Sequence, residues 1–373
     1  MITCNEGTCP GALTCGADKF CHATGNTDVC STTGADAVPT GVECFGAATE
    51  LFQVCVSSGT VLDHLAITNN ALDTDTDAQC TTVSQASGPD VCFIAVEHML
   101  IDAPFTSVVG SRPLVVGARS TIELTAQSWL YVAQVPNACG NLDGIPDVDG
   151  GGGAAGGSFN RIAGGAGGAS LNVLGGASNP PPTVTSVRPG CTGGSGAGAM
   201  GANASGGLAG GAIYLIAKGA IILDGGQDFS TAARLSAYGA PGVGGSLGGV
   251  GGGGGGSGGM IGLIAPTLQL GANTRVVATG GGGGGGSTTA VVGGNGGTPM
   301  IASASIPATG GTGAASDDSG GVGGTGVANA LVTGGTTQTK DVGGGGGGGG
   351  AGVIVIHAVT NLGPGIEIVP TPQ

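Results

Sequence analysis

The chain has 373 residues, of which 86 are Gly and 11 Cys, with 9% charged and 3% aromatic residues, a net charge of −14 and a mean hydropathy of +0.34. Nine Lys+Arg against 23 Asp+Glu make a phosphate-tracking groove implausible and exclude nucleic acid as an expected partner. So much Gly argues for a linker, because Gly loses the most backbone entropy on ordering; yet disorder needs low hydrophobicity, and here Gly blocks alternate with apolar, β-branched runs that need a core.

The N-terminus Met1-Ile2-Thr3-Cys4 lacks the basic and apolar parts of a signal peptide, so the signal of an exported chain is expected to have been removed or replaced. Residues 1–60 read as a disulfide-rich module. Nine cysteines precede residue 93: Cys4, Cys9, Cys15, Cys21, Cys30, Cys44, Cys55, Cys80 and Cys92. Their density, with no CxxC pair and no suitably spaced His, marks a disulfide framework of unknown pairing in an oxidising compartment. An odd total leaves one thiol free, paired between chains or lacking its partner. In LDTDTDAQ, Asp73, Asp75 and Asp77 would share one strand face, either holding a cation or sitting in water.

Residues 61–373 read as a solenoid. Cys92 to Arg112 is followed by Pro113 to Ala133, each with three short β-rich segments between corner residues. Units of about 20–25 residues with three strands suggest the coils of a parallel β-helix. The triplet returns at Ala212 to Gly239, Met260 to Thr279 and Gly352 to Thr371, where AIYLIA matches MIGLIA. The strong preference for right-handed parallel crossovers sets the expected hand. Trp129 and Tyr131, two apart in SWLYVA, share a face. Outward they would offer a stacking surface; inward one would fill the core, and the small residues of these coils favour a core position.

Three Gly-rich inserts, 134–211, 240–259 and 280–350, each fall after a third strand and before the next first strand, so they should lie side by side on one flank. Cys139 and Cys191 stand alone in the first and are expected to bond to each other. The acidic loop Asn141 to Gly150 resembles the calcium loops of thrombospondin type 3 repeats: Asp143, Asp147 and Asp149 around a Gly turn suit calcium, or remain a solvated turn. Without a Cβ, extended Gly chains can approach and exchange backbone hydrogen bonds, which predicts a polyglycine II layer beside the β-helix. The runs Gly251 to Gly256, Gly280 to Gly286 and Gly343 to Gly350 are expected to be ordered and mutually adjacent. Ala should be costly at their centres and tolerated at Thr288 or Ser316. The many GxGxxG matches within these runs say nothing about nucleotides.

GGGGAAGGSFNRIAGGAGG near Gly151, GGAIYLIA near Gly211, GGGGGGSGGMIGLIAP before Pro266 and GGGGGGGGAGVIVI before Ile356 are similar to recurring phrases of Gly-rich surface proteins of myxobacterial type. The opening CNEGTCPGALTCGADKFC resembles their N-terminal Cys-rich modules. The resemblance implies an exported cell-surface β-helix and carries no enzymatic activity with it.

The expected function is therefore an extracellular structural or adhesive surface protein, not an enzyme, with cell-surface components or its own copies as partners. Head-to-tail stacking of exposed strand edges would make a homopolymer. The competing classes are a polysaccharide-active β-helix enzyme, which needs Asp/Glu clusters with Arg or Lys in a groove, and an ice- or surface-binding protein. No continuous apolar window of about 18 residues exists, so no transmembrane helix is expected.

Overall fold

A computed structural model of the protein describes residues 13–15, 21–23, 42–47, 49–57, 62–67, 71–137, 139–140, 142–159, 164–178, 183–198, 203–298, 307–314 and 333–373. The chain divides into two compact units, Met1–Leu62 and Asp63–Gln373. The described residues are all-β, without helices, so none offers a helix long and apolar enough to cross a membrane.

In the first unit β1 (Leu13–Cys15) pairs antiparallel with β2 (Cys21–Ala23), and β3 (Val42–Phe45) with β4 (Val54–Ser57). A disulfide joins Cys44 to Cys55 across the second pair. Cys15 and Cys21 are backbone partners, while Cys4, Cys9 and Cys30 lie outside the described residues.

The second unit opens with β5 (His64–Ile67), β6 (Ala71–Asp73) and β7 (Thr81–Val83). Two triplets follow: β8 (Val91–Val96), β9 (His98–Ile101) and β10 (Thr106–Val109), then β11 (Leu114–Ala118), β12 (Thr121–Leu124) and β13 (Trp129–Val132). After the short pair β14 (Gly196–Ala197) and β15 (Asn203–Ala204) come β16 (Ala212–Ala217), β17 (Ala220–Leu223) and β18 (Arg234–Ser236). The last strands are β19 (Met260–Leu270), β20 (Arg275–Val277), β21 (Val353–Leu362) and β22 (Glu367–Val369).

Strands of the same rank pair in parallel. The first-rank row runs β8, β11, β16, then the front halves of β19 and β21. The second-rank row runs β5, β9, β12, β17, then their rear halves. Because β19 and β21 belong to both rows, the two form one ten-stranded sheet that curls as a half-barrel. The third-rank row, β6-β10-β13-β18-β20-β22, is a separate six-stranded parallel sheet.

The ten-stranded sheet is mixed, because β7 pairs antiparallel with β8, and a Cys80–Cys92 bond ties the β7 end to β8. Three further features depart from the sequence reading. β5 and β6 add strands ahead of the first recognised triplet. MIGLIA and PTLQLG, expected as separate strands, are one strand with a register shift between Ile264 and Thr267. Asp75 and Asp77 lie beyond the end of β6, in a turn closed by the Asp77 N–H on the Asp73 carbonyl at 2.9 Å, so the three carboxylates do not share a strand face.

Alternation sets the core. Leu114, Val116 and Ala118, then Ile213, Leu215 and Ala217, then Ile261, Leu263 and Ala265 stack in register inside, against Leu130, Val132 and Leu235 from the third row. First-row strands are buried on both faces, which is why they read as continuous apolar runs. Each fully buried Val, Leu or Ile contributes roughly 1.5–3 kcal/mol. We therefore expect Leu215→Ala, at a wholly buried position, to lower unfolding stability by about 2–5 kcal/mol. Val359→Ala, 71% exposed on β21, should change it by less than about 0.5 kcal/mol in the same denaturant titration.

Candidate functional site

The three long inserts lie between β13 and β16, β18 and β19, and β20 and β21, and thus all leave between a third-row and a first-row strand. Most of the chain's described glycine lies there. The run 249–259 shows how it is organised. Gly251, Gly254 and Ser257 donate their N–H to Ala197, Gly194 and Cys191; Gly252, Gly255 and Gly258 donate to Gly344, Gly347 and Gly350; Gly253, Gly256 and Gly259 donate to Val243, Ala240 and Ala237. All nine bonds measure 2.7–3.0 Å.

A donor that returns to the same neighbour every third residue means three residues per turn. The carbonyls repeat the pattern toward three other segments: Gly249, Gly252 and Gly255 accept from 151–157, Gly254 and Ser257 from 207–210, and Val250, Gly253 and Gly256 from 281–287. One buried run is thus ringed by six segments and bonded to all of them. The six also bond to one another around the ring: Gly346 donates to Gly284 and Gly349 to Gly281, Gly344 to Gly151, Gly194 to Ala155, Gly193 to Gly207, Ala240 to Leu208 and Gly242 to Gly282. The runs at 251, 280 and 343 are mutually adjacent although nearly a hundred residues separate the first from the last.

The missing Cβ is a condition of this packing. A Cβ at Gly252 would stand 2.0 Å from the Gly284 carbonyl oxygen, and at Gly255 2.1 Å from that of Gly281. Where Ser enters a run, its hydroxyl serves the neighbouring backbone. Ser257 Oγ accepts from Cys191 N–H at 2.7 Å, and Ser287 Oγ accepts from Val250 N–H at 2.8 Å. At the perimeter the period becomes visible in sequence, as two glycines and an exposed residue: Ser205 and Leu208; Val243 and Ser246; Val292, Asn295 and Thr298; Thr309 and Thr312; Thr333 and Thr336. That Gly-Gly-X spacing is a legible signal missed by the sequence reading, which treated the Gly blocks as uniform.

Thr288 does not suit the role of tolerant control expected for it. It is buried, and its hydroxyl accepts the Ala290 and Val291 N–H groups to close a turn. Ser316 lies outside the described residues.

The other candidates fall as follows. A disulfide links Cys139 to Cys191 with Cα atoms 5.5 Å apart, and the Cys191 carbonyl accepts from Ser257 N–H, tying this bond to the central run. Asp143, Asp147 and Asp149 do not converge as a calcium site; among the described residues no group of three or more His, Cys, Asp or Glu could hold a metal. Each carboxylate is engaged separately: Asp143 accepts from Ser195 N–H, Asp147 from Asp149 N–H, and Asp149 pairs with Lys340 at 3.1 Å. Asp75 likewise takes the Ser111 N–H and hydroxyl and faces Arg112. The Ser111 N–H, foremost, holds its carboxyl below the usual range.

Trp129 and Tyr131 both point away from the core, because Leu130 and Val132 take the inward positions. Trp129 donates to Ser236 Oγ at 2.7 Å, with Arg234 5.0 Å from its ring centre. Tyr131 stacks on Tyr238 at 4.9 Å, and burial pushes both phenols up. Tyr131 and Tyr238 thus cover one another's faces, and Arg234 lies over that of Trp129. A groove of about 450 Å³ beyond β17 is lined by Ile222, Asp224, Gln269, Asn361 and Leu362 among others; it carries one carboxylate, where paired-carboxyl hydrolysis needs two.

Comparison with protein-family models, with curated proteins and with solved structures finds no match to this chain.

Two substitutions test the layer. Gly255→Ala should destabilise the protein by about 1–3 kcal/mol or more through overpacking, whereas Ser246→Ala, exposed at the perimeter, should stay within about 0.5 kcal/mol. Replacing Cys139 and Cys191 together by Ser should cost about 4 kcal/mol, the chain-entropy value for a sequence separation of 52. Equilibrium unfolding in guanidinium reads both.

Proposed function

We propose that this chain is an extracellular structural or adhesive surface protein rather than an enzyme, built as one right-handed parallel β-solenoid with its Gly inserts packed as a polyglycine II layer. The observation that carries the reading is the ringed run 249–259: nine consecutive backbone donors, Gly251 to Gly259, paired to three flanking segments. Such a body is rigid and large-faced, and it commits most of its sequence to shape. Three registers of parallel strands support the solenoid, and the three-residue hydrogen-bond period supports the polyglycine II geometry. Three disulfides among the described residues suit an oxidising, extracellular setting.

Self-association end to end is part of this proposal. On the described residues β22 pairs only with β20, and Val359 and Leu362 of β21 are exposed. Unpaired parallel edges recruit further strands. The test is to label surface proteins on intact native cells and to image the released material by negative stain. Labelled rods or fibres are expected. Labelling only after lysis, or isolated monomers that cleave polysaccharide, would overturn the reading.

A further inference from the structure

The perimeter of the glycine layer has a side on which three extended segments lie edge to edge. Ala240 donates to Leu208 and Val243 to Ser205, joining 203–211 to 237–249; Gly293 donates to Gly245 and Gly296 to Gly242, joining 237–249 to 289–298. None of these three segments contains an Asp, Glu, Lys or Arg, in a chain of net charge −14. Instead the facet exposes Leu208, Val243 and Val292, at 40%, 43% and 58%, interspersed with Ser205, Asn295 and Thr298.

We infer that this facet is a self-complementary interface at which a second copy of the same chain packs face to face. Three features point to that occupant. The first is charge: copies of a strongly acidic protein repel one another, least where no ionisable side chain is present. The second is shape. On a three-residue turn with about 3.1 Å rise, exposed residues recur about every 9 Å, with two glycines between them. A ridge of protruding side chains on one copy, Val or Leu alternating with Ser or Asn, therefore meets a glycine-floored groove of the same period on the other, and a two-fold operation satisfies both copies at once. The third is order: the backbone of all three segments is already held by hydrogen bonds, so docking adds little ordering cost.

The spacing and rise rest on the polyglycine II reading above, and the contact deepens that structural role by supplying lateral association. Three segments about 28 Å long and about 4.8 Å apart give roughly 400 Å² per copy, less than a stable complex buries. The contact is accordingly weak alone and strengthened in arrays, where many copies engage together.

Sedimentation velocity of the full-length protein from low micromolar to several hundred micromolar tests it. A reversible dimer is expected, undiminished by added salt. Val243→Lys and Val292→Lys should each weaken it at least tenfold while leaving the unfolding midpoint in place. Leu174→Lys, 72% exposed on a segment bonded to Gly153 and Gly167 rather than to this facet, should leave the dimer intact. A monomer throughout the range would overturn the inference, as would an oligomer insensitive to both facet lysines or equally sensitive to Leu174→Lys. Surface labelling and rods with no effect of the facet lysines would sink this interface and spare the structural role; a facet-dependent dimer released only on lysis would do the reverse.

Discussion

A peptide unit withdrawn from water must find partners for its N–H and C=O, and a glycine run has nothing else to offer. Ordering each residue costs about 1–2 kcal/mol, while a net hydrogen bond returns about 0.5–1.5 kcal/mol. A lone pair of runs would therefore stay unfolded. In the run 249–259 the deficit is narrowed by pairing backbone N–H and C=O groups to a ring of six segments, at distances only the absent Cβ permits. Everything on this flank depends on that approach of backbone to backbone.

The parallel rows make such a ring reachable. Each insert leaves between the third and first rows, and its ends are held by strands whose neighbours hold the ends of the next insert. Met260 accepts this continuity directly, donating to the Gly211 carbonyl as β19 begins, and Val353 donates to Gly259 as β21 begins. The hydrogen-bond lattice of the glycine runs thus passes into the strand ladder without a break. Cys139–Cys191 adds a covalent anchor one bond away from the central run.

Much of this was legible. The returns AIYLIA, MIGLIA and GVIVIHA carry enough alternation and β-branching to mark the rows, and the positions of the inserts between them follow. Cys139 and Cys191 were legible as the two cysteines of one insert. Less was readable where local chemistry competes with pattern: β5 and β6 are short and half exposed, MIGLIA and PTLQLG run on as one strand through Pro266, and Asp75 lies in a turn where Ser111 and Arg112 bind it. The acidic loop looked like a calcium site because spacing does not reveal that Ser195, Asp149 and Lys340 take its carboxylates one by one. Trp129 and Tyr131 were misplaced by reasoning from available space, although the strict alternation with Leu130 and Val132 already set their direction.

The proposed structural or adhesive role hangs on whether the glycine layer is a solid. Native-state hydrogen exchange, resolved to single amides by NMR, reads this without perturbing the chain. Amides of Gly251 to Gly256, Gly281 to Gly286 and Gly343 to Gly350 should be protected along the whole of each run, to the level of Ile213 to Ile216 in the core strands. Exchange of these glycines at the rate of an open chain, beside protected core strands, would contradict a packed layer and reduce the inserts to tethers.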